Sequence, residues 1–108
     1  MNPDRLNDEF AFQLSAYGIA YEREYRAVPE RRFRWDFALP DVRVLVEVQG
    51  GIWMRERTGH TSGRGVRRDC EKANLAALHG WRTLFFTPDM VRSGEAIAMI
   101  ERIIRQTL

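Results

Sequence analysis

Hydrophobic residues recur along this chain at two different periods, and the switch between the periods marks out the elements. Leu6, Phe10, Leu14 and Tyr17 follow helical spacing, Asn2 and Pro3 supply an N-cap and a first-turn proline, and Gly18 stops the run. A helix is predicted over Pro3–Tyr17. The stretch "IAYEREYRAV" alternates weakly and predicts a strand with Tyr21, Arg23 and Tyr25 on one side. Alternation is strict in the next two segments. "RFRWDFAL" sets Phe33, Trp35, Phe37 and Leu39 on one face, and "VRVLVEV" sets Val42, Val44, Val46 and Val48 on one face. A two-residue turn at Pro40-Asp41 would bring these two apolar sets onto a shared face of a hairpin, and any even-length connection preserves that match.

The same register places Arg34, Asp36 and Ala38, with Arg43, Leu45, Glu47 and Gln49, on the opposite face. Asp36 and Glu47 become diagonal neighbours, roughly 7 to 8 Å apart at the backbone. After Gly50-Gly51 the chain reads as a long glycine- and arginine-rich loop through Gly65, and loops of that length in a small domain are usually functional or mobile. "VRRDCEKANLAALHG" then sets Val66, Cys70, Ala73 and Ala77 at helical spacing, ends at Gly80, and exposes Arg68, Lys72 and His79 along another stripe. "WRTLFF" predicts a short buried strand and Thr87-Pro88 a turn. Ile97, Ile100 and Ile104 predict a terminal helix from Ser93. The expected order is helix, three strands, helix, strand, helix, in one α/β domain of 108 residues.

Composition adds exclusions. The chain is 44% apolar and 30% charged, without repeats or low-complexity tracts, which suits a packed domain rather than a disordered one. Its first residues are charged and no run of eighteen apolar residues occurs, so neither a signal peptide nor a membrane span is expected, and a cytoplasmic location in a bacterial or phage-infected cell is. Cys70 is the single cysteine, which leaves no intrachain disulfide and no zinc-ligand spacing; it is expected to face the core. A net charge of +2 says little about partners, but its distribution says more. Between Ile52 and Arg68, Arg55, Arg57, Arg64, Arg67 and Arg68 meet one acid, Glu56, and a polyanion would sit on that surplus.

Two readings of the carboxylate pair follow from the register. Asp36 and Glu47 can belong to solvated cross-strand ion pairs with Arg34 and Arg43. Alternatively, with the backbone carbonyl of Val48 they collect a hard divalent cation, Mg²⁺ or Mn²⁺, for which oxygen ligands in that number are suited. His60, in "RTGHTSGRG", has the chemistry of a general base, a leaving-group acid or a phosphate contact, and equally of an ordinary loop histidine. The loop arginines suit backbone phosphates, and no helix-turn-helix or stacking platform points to base readout.

The element order, with Asp36 on one strand and Glu47-Val48-Gln49 on the next, resembles the PD-(D/E)xK nuclease superfamily. "VEVQGGIW", the histidine in the arginine and glycine loop, "DCEKANLAALHGW" and "LFFTPDMV" look like its small phage-type, Holliday-junction-resolvase-like members. Two departures stand out: Gln49 occupies the place of the family lysine, and Trp35-Asp36 replaces its proline-aspartate pair. The resemblance implies a restriction-endonuclease-like α-β-β-β-α-β core, its mixed sheet flanked by helices, with a C-terminal helix. It also implies a metal-dependent endonuclease acting on DNA, either plain duplex or branched, nicked or mismatched structures. In that scheme Asp36 and Glu47 bind Mg²⁺ or Mn²⁺, Gln49 holds the third motif position, and Glu9 is either an additional acid that acts through water or orients the nucleophile, or a surface carboxylate. Lys72, the only lysine, stands in for the missing one, its alternative being a solvent pair with Asp69 or Glu71. Small nucleases of this type often act as homodimers. The rival expectation is a catalytically inactive DNA-binding or recruitment module, with Gln49 the mark of lost activity.

Overall fold

The computed structural model describes residues 3–48 and 63–107. Its elements run α1 (Pro3–Ala16), β1 (Glu22–Tyr25), β2 (Trp35–Leu39), β3 (Val44–Val48), α2 (Gly63–Leu78), β4 (Arg82–Phe86), α3 (Pro88–Ser93) and α4 (Glu95–Thr107), with a 3-10 turn at Pro40–Val42. The strands form one sheet in the order β1-β2-β3-β4. β1, β2 and β3 are antiparallel neighbours, and β4 lies parallel to β3. A parallel pair needs a crossover, which here contains α2. The fold is therefore a mixed α/β domain with a mixed sheet, flanking helices and a C-terminal helix. Among the described residues no helix is long and apolar enough to cross a membrane.

The central strands β2 and β3 are buried on both faces, while β1 is largely exposed and β4 leaves Arg82 and Phe85 exposed. On one, Phe37, Leu39, Val44 and Val46 pack with Leu6, Phe10 and Leu14 of α1, Val91 of α3 and Ile97, Ile100 and Ile103 of α4. On the other, Trp35, Ala38 and Leu45 pack with Ala27, Val28, Phe33, Trp81 and Ala76 of α2. The second face was expected to be polar, yet Ala38 and Leu45 are fully buried there.

The hairpin connection is longer than the two residues expected. Pro40–Val42 forms the 3-10 turn and Arg43 follows in the left-handed region at φ 55°, so Leu39 pairs with Val44 and Phe37 with Val46. Four connecting residues in place of two shift the register by two, and even parity keeps the apolar sets of Phe37, Leu39, Val44 and Val46 together. Trp35 breaks the expected alternation by joining the α2 face while Phe37 stays on the other. The change of side falls beside Glu24 of β1, at φ 51°, where Tyr21 and Tyr25 likewise pack against opposite faces. A left-handed residue turns the strand about its axis, and Tyr25 and Trp35, paired in the ladder, turn together.

Three further differences concern helices. α2 begins at Gly63, inside the segment expected to be loop. Its buried side carries Ala76, with Leu75 packed against the core, whereas Val66 and Cys70 are exposed, contrary to the core-facing stripe expected. Thr87-Pro88 opens a short helix rather than a simple turn: the Thr87 hydroxyl accepts from the Met90 N–H, proline takes the first helical position, and Gly94 ends it.

A candidate carboxylate and lysine site at the sheet end

The site lies where β2 begins and β3 ends. One step beyond the Phe37–Val46 pair, the register sets Asp36 directly opposite Glu47 rather than diagonal to it. At this point side chains take over bonding to the backbone. Glu47 Oε1 accepts from the Asp36 N–H at 3.0 Å, and Asp36 Oδ2 accepts from the Val48 N–H at 2.8 Å. Each acid thus holds the other's strand, which fixes both carboxyl groups and stops the sheet fraying where β2 turns.

Lys72 completes the constellation from α2. Its Nζ donates to Glu47 Oε2 at 2.9 Å and to the Arg34 carbonyl at 2.6 Å, and lies 4.7 Å from the centroid of the Trp35 ring. An anion, a carbonyl dipole and an aromatic face all favour an ammonium group at that point. The pair is largely withdrawn from water, with side-chain exposures of 16% for Lys72 and 15% for Glu47. Burial pushes the Glu47 carboxyl above its ordinary value; the charge and hydrogen bond of Lys72 pull against that shift, and the nearby Asp36 charge adds to it.

Neither solvent partner suggested for Lys72 is used. Glu71 receives Arg31 at 2.9 Å, and Asp69 buries Oδ2 with no hydrogen-bond partner. The alternative of solvated pairs with Arg34 and Arg43 is replaced as well. Arg34 offers its main-chain carbonyl, and Arg43 lies 4.1 Å over the Trp81 ring and donates to the His79 carbonyl.

The donor set can be weighed against a divalent cation. A carboxylate oxygen has about two lone pairs, so one that accepts a single N–H can still ligate. Mg²⁺ retains water and takes only one or two protein carboxylates in sites that also bind substrate phosphate. Asp36 and Glu47 satisfy that demand, with Val48, whose carbonyl was expected as a third ligand, at the last described position of β3. No group of three or more His, Cys, Asp or Glu residues that could hold a metal occurs among the described residues.

The other expected residues divide. Glu9 is exposed on α1, the helix whose Leu6, Phe10 and Leu14 cover the sheet face opposite α2. Arg67 and Arg68 are exposed on α2, and Arg68 stands one turn before Lys72. Gln49, His60, Arg55 and Arg57 lie outside the described residues, as does the side chain of Arg64. Sequence reasoning missed Trp35 and the Arg34 carbonyl as the seat of Lys72. The only available signal was that an aromatic ring preceded the strand acid.

Comparison with known proteins adds no relative: no family model matches the chain, and neither a curated protein nor a solved structure does.

Proposed function

We propose that this chain is a divalent-metal-dependent endonuclease that hydrolyses phosphodiester bonds in DNA. One observation carries the reading: at one sheet end the Glu47 carboxylate accepts from the Asp36 N–H and from Lys72, the chain's only lysine, while the Asp36 carboxylate accepts from the Val48 N–H of the adjacent strand. The order of Asp36 and Glu47 on successive strands supports it; Gln49 cannot carry a positive charge, and in this proposal Lys72 supplies it. A Mg²⁺ or Mn²⁺ ion held there would polarise a phosphodiester oxygen and acidify an attacking water. Asp36 and Glu47 are pre-positioned by their bonds to the opposite strands, so their oxygens need no reordering when the site fills. Lys72 then presents its ammonium to the charge that develops on the phosphoryl group. Gln49, Glu9 and His60 have accessory roles in this proposal, with Arg55, Arg57, Arg64, Arg67 and Arg68 on backbone phosphates.

Supercoiled plasmid and labelled branched, nicked and linear DNAs, incubated with Mn²⁺, Mg²⁺ or chelator, test the reading. Wild type is expected to nick DNA only with metal, and Asp36→Ala, Glu47→Ala and Lys72→Ala each to lose about 10²-fold or more in rate. Wild type that shifts DNA in a low-salt gel and never cuts it would leave the inactive binding module in its place.

A further inference from the structure

A second cluster of charge lies one helical turn from Lys72. Glu30, Arg31, Arg32, Phe33 and Arg68 line an open cleft of about 400 Å³ between the segment before β2 and the first half of α2. Its framework is built. The Arg26 guanidinium donates to the carbonyls of Pro29 and Arg31 at 2.9 and 2.8 Å, which holds the loop that presents Arg31 and Arg32. Phe33 is buried, and the guanidinium groups of Arg31 and Arg68 lie 4.4 and 5.6 Å from its ring centroid.

Two acids stand beside this cleft, and each has a partner. Glu30 meets His79 at 3.1 Å and Glu71 meets Arg31 at 2.9 Å. Among the described residues, Arg32 and Arg68 have no acidic partner. The cleft thus gathers three arginines, Arg31, Arg32 and Arg68, against Glu30, which faces a histidine, and Glu71, which is paired with Arg31. A planar fork of N–H donors, two of them held against an aromatic ring, is suited to a phosphate in bidentate contact.

We infer that this cleft is a phosphate-binding subsite that seats the DNA backbone next to the phosphodiester at Asp36, Glu47 and Lys72. The inference rests on the endonuclease reading for its choice of DNA and on continuity for its placement. Arg68 and Lys72 are four residues apart on α2, neighbours about 5–6 Å apart at Cβ. Arg32 and Phe33 lead directly into Arg34, whose carbonyl holds the Lys72 ammonium. A strand that crosses the sheet end therefore meets the cleft within a nucleotide or so.

Fluorescence anisotropy of a labelled duplex in a KCl series, with Ca²⁺ as the only divalent ion, tests the cleft. Arg32→Ala and Arg68→Ala are each expected to weaken binding at low salt and to flatten the slope of log affinity against log salt by about one. Arg32→Lys is expected to restore the slope while binding less tightly than wild type, since it keeps the charge and loses the fork. Arg102→Ala, on the exposed side of α4, serves as the control and is expected to keep the wild-type slope. Unchanged slopes in both cleft variants, an equal drop in the control, or no duplex binding by wild type would each overturn the subsite. Cleavage separates the two readings: cutting with unmoved slopes removes the cleft alone, and cleft-dependent binding without cutting in Mn²⁺ removes the endonuclease alone.

Discussion

Glu47 and Lys72 form the interaction in which stability and proposed chemistry meet, and their contributions can be separated. The Glu47 carboxyl is held above its ordinary value of 4.5, chiefly because burial disfavours its charged form. A group whose folded value is raised contributes stability fully below its unfolded value, and that contribution is lost as pH rises through the folded value. Lys72 limits the loss by supplying an opposite charge. Lys72→Met is therefore expected to cost about 1–3 kcal/mol at alkaline pH, where Glu47 is left ionised and without its cation. The cost should shrink towards the ordinary carboxyl value as Glu47 takes a proton. Glu47→Gln removes the buried charge while keeping an acceptor for the Asp36 N–H, so its stability should vary less with pH than that of wild type. Urea unfolding of the three proteins across that range checks the sign. A Lys72→Met cost that is flat or falls with rising pH would show that the ion pair does not govern this site.

At the scale of elements, the connections carry conformations that alternation cannot reveal. Gly80 ends α2 at φ +84°, and a Cβ there would come within 3.2 Å of Arg43 Nη2, the tip of a side chain already held by the His79 carbonyl and the Trp81 ring. Gly18, at φ +69°, has open space where its Cβ would be. Both alanine substitutions should cost about 1–2 kcal/mol for the left-handed backbone, with Gly80→Ala the larger because Arg43 must also yield. Equal urea midpoints for the two variants would mean that Arg43 moves freely. The same contrast explains what could be read from sequence. Period-two runs at Phe33–Leu39 and Val42–Val48 revealed the strands, and even parity secured the proximity of Asp36 to Glu47 although the turn was two residues longer than expected. Hidden were the left-handed Glu24, the change of side at Trp35 and the α2 face that packs, because each depends on which partner a backbone twist meets. The stripe through Val66 and Cys70 misled because α2 packs through Ala76 and Leu75, and through Lys72 at the sheet edge. Thr87-Pro88 looks alike as a turn or as a helix start, and only the side-chain bond to the Met90 N–H decides between them.

The two hydrophobic layers share one four-stranded sheet, and this has a consequence for how the whole molecule unfolds. Val44 and Val46 point to the layer of α1, α3 and α4, and Leu45 between them points to the layer of α2, so β3 cannot leave either core without opening both. β3 is also hydrogen-bonded on both sides, antiparallel to β2 and parallel to β4. Such coupling favours a single cooperative transition in a domain of this size. With Trp53, which lies outside the described residues, replaced by Phe in every protein compared, Trp35 and Trp81 report by fluorescence on the α2 layer to which both belong, whereas Ile100, fully buried, belongs to the other layer. Ile100→Val removes one methylene from the layer that holds neither ring and should cost about 0.5–1.5 kcal/mol. If the sheet couples the layers, that cost moves the tryptophan transition and the far-ultraviolet circular dichroism transition by the same amount in urea, with unchanged slopes. A tryptophan midpoint that stays at the wild-type position while the dichroism midpoint falls would instead show the α2 layer unfolding by itself. The carboxylate and lysine site would then sit on a unit that opens independently of the α4 core.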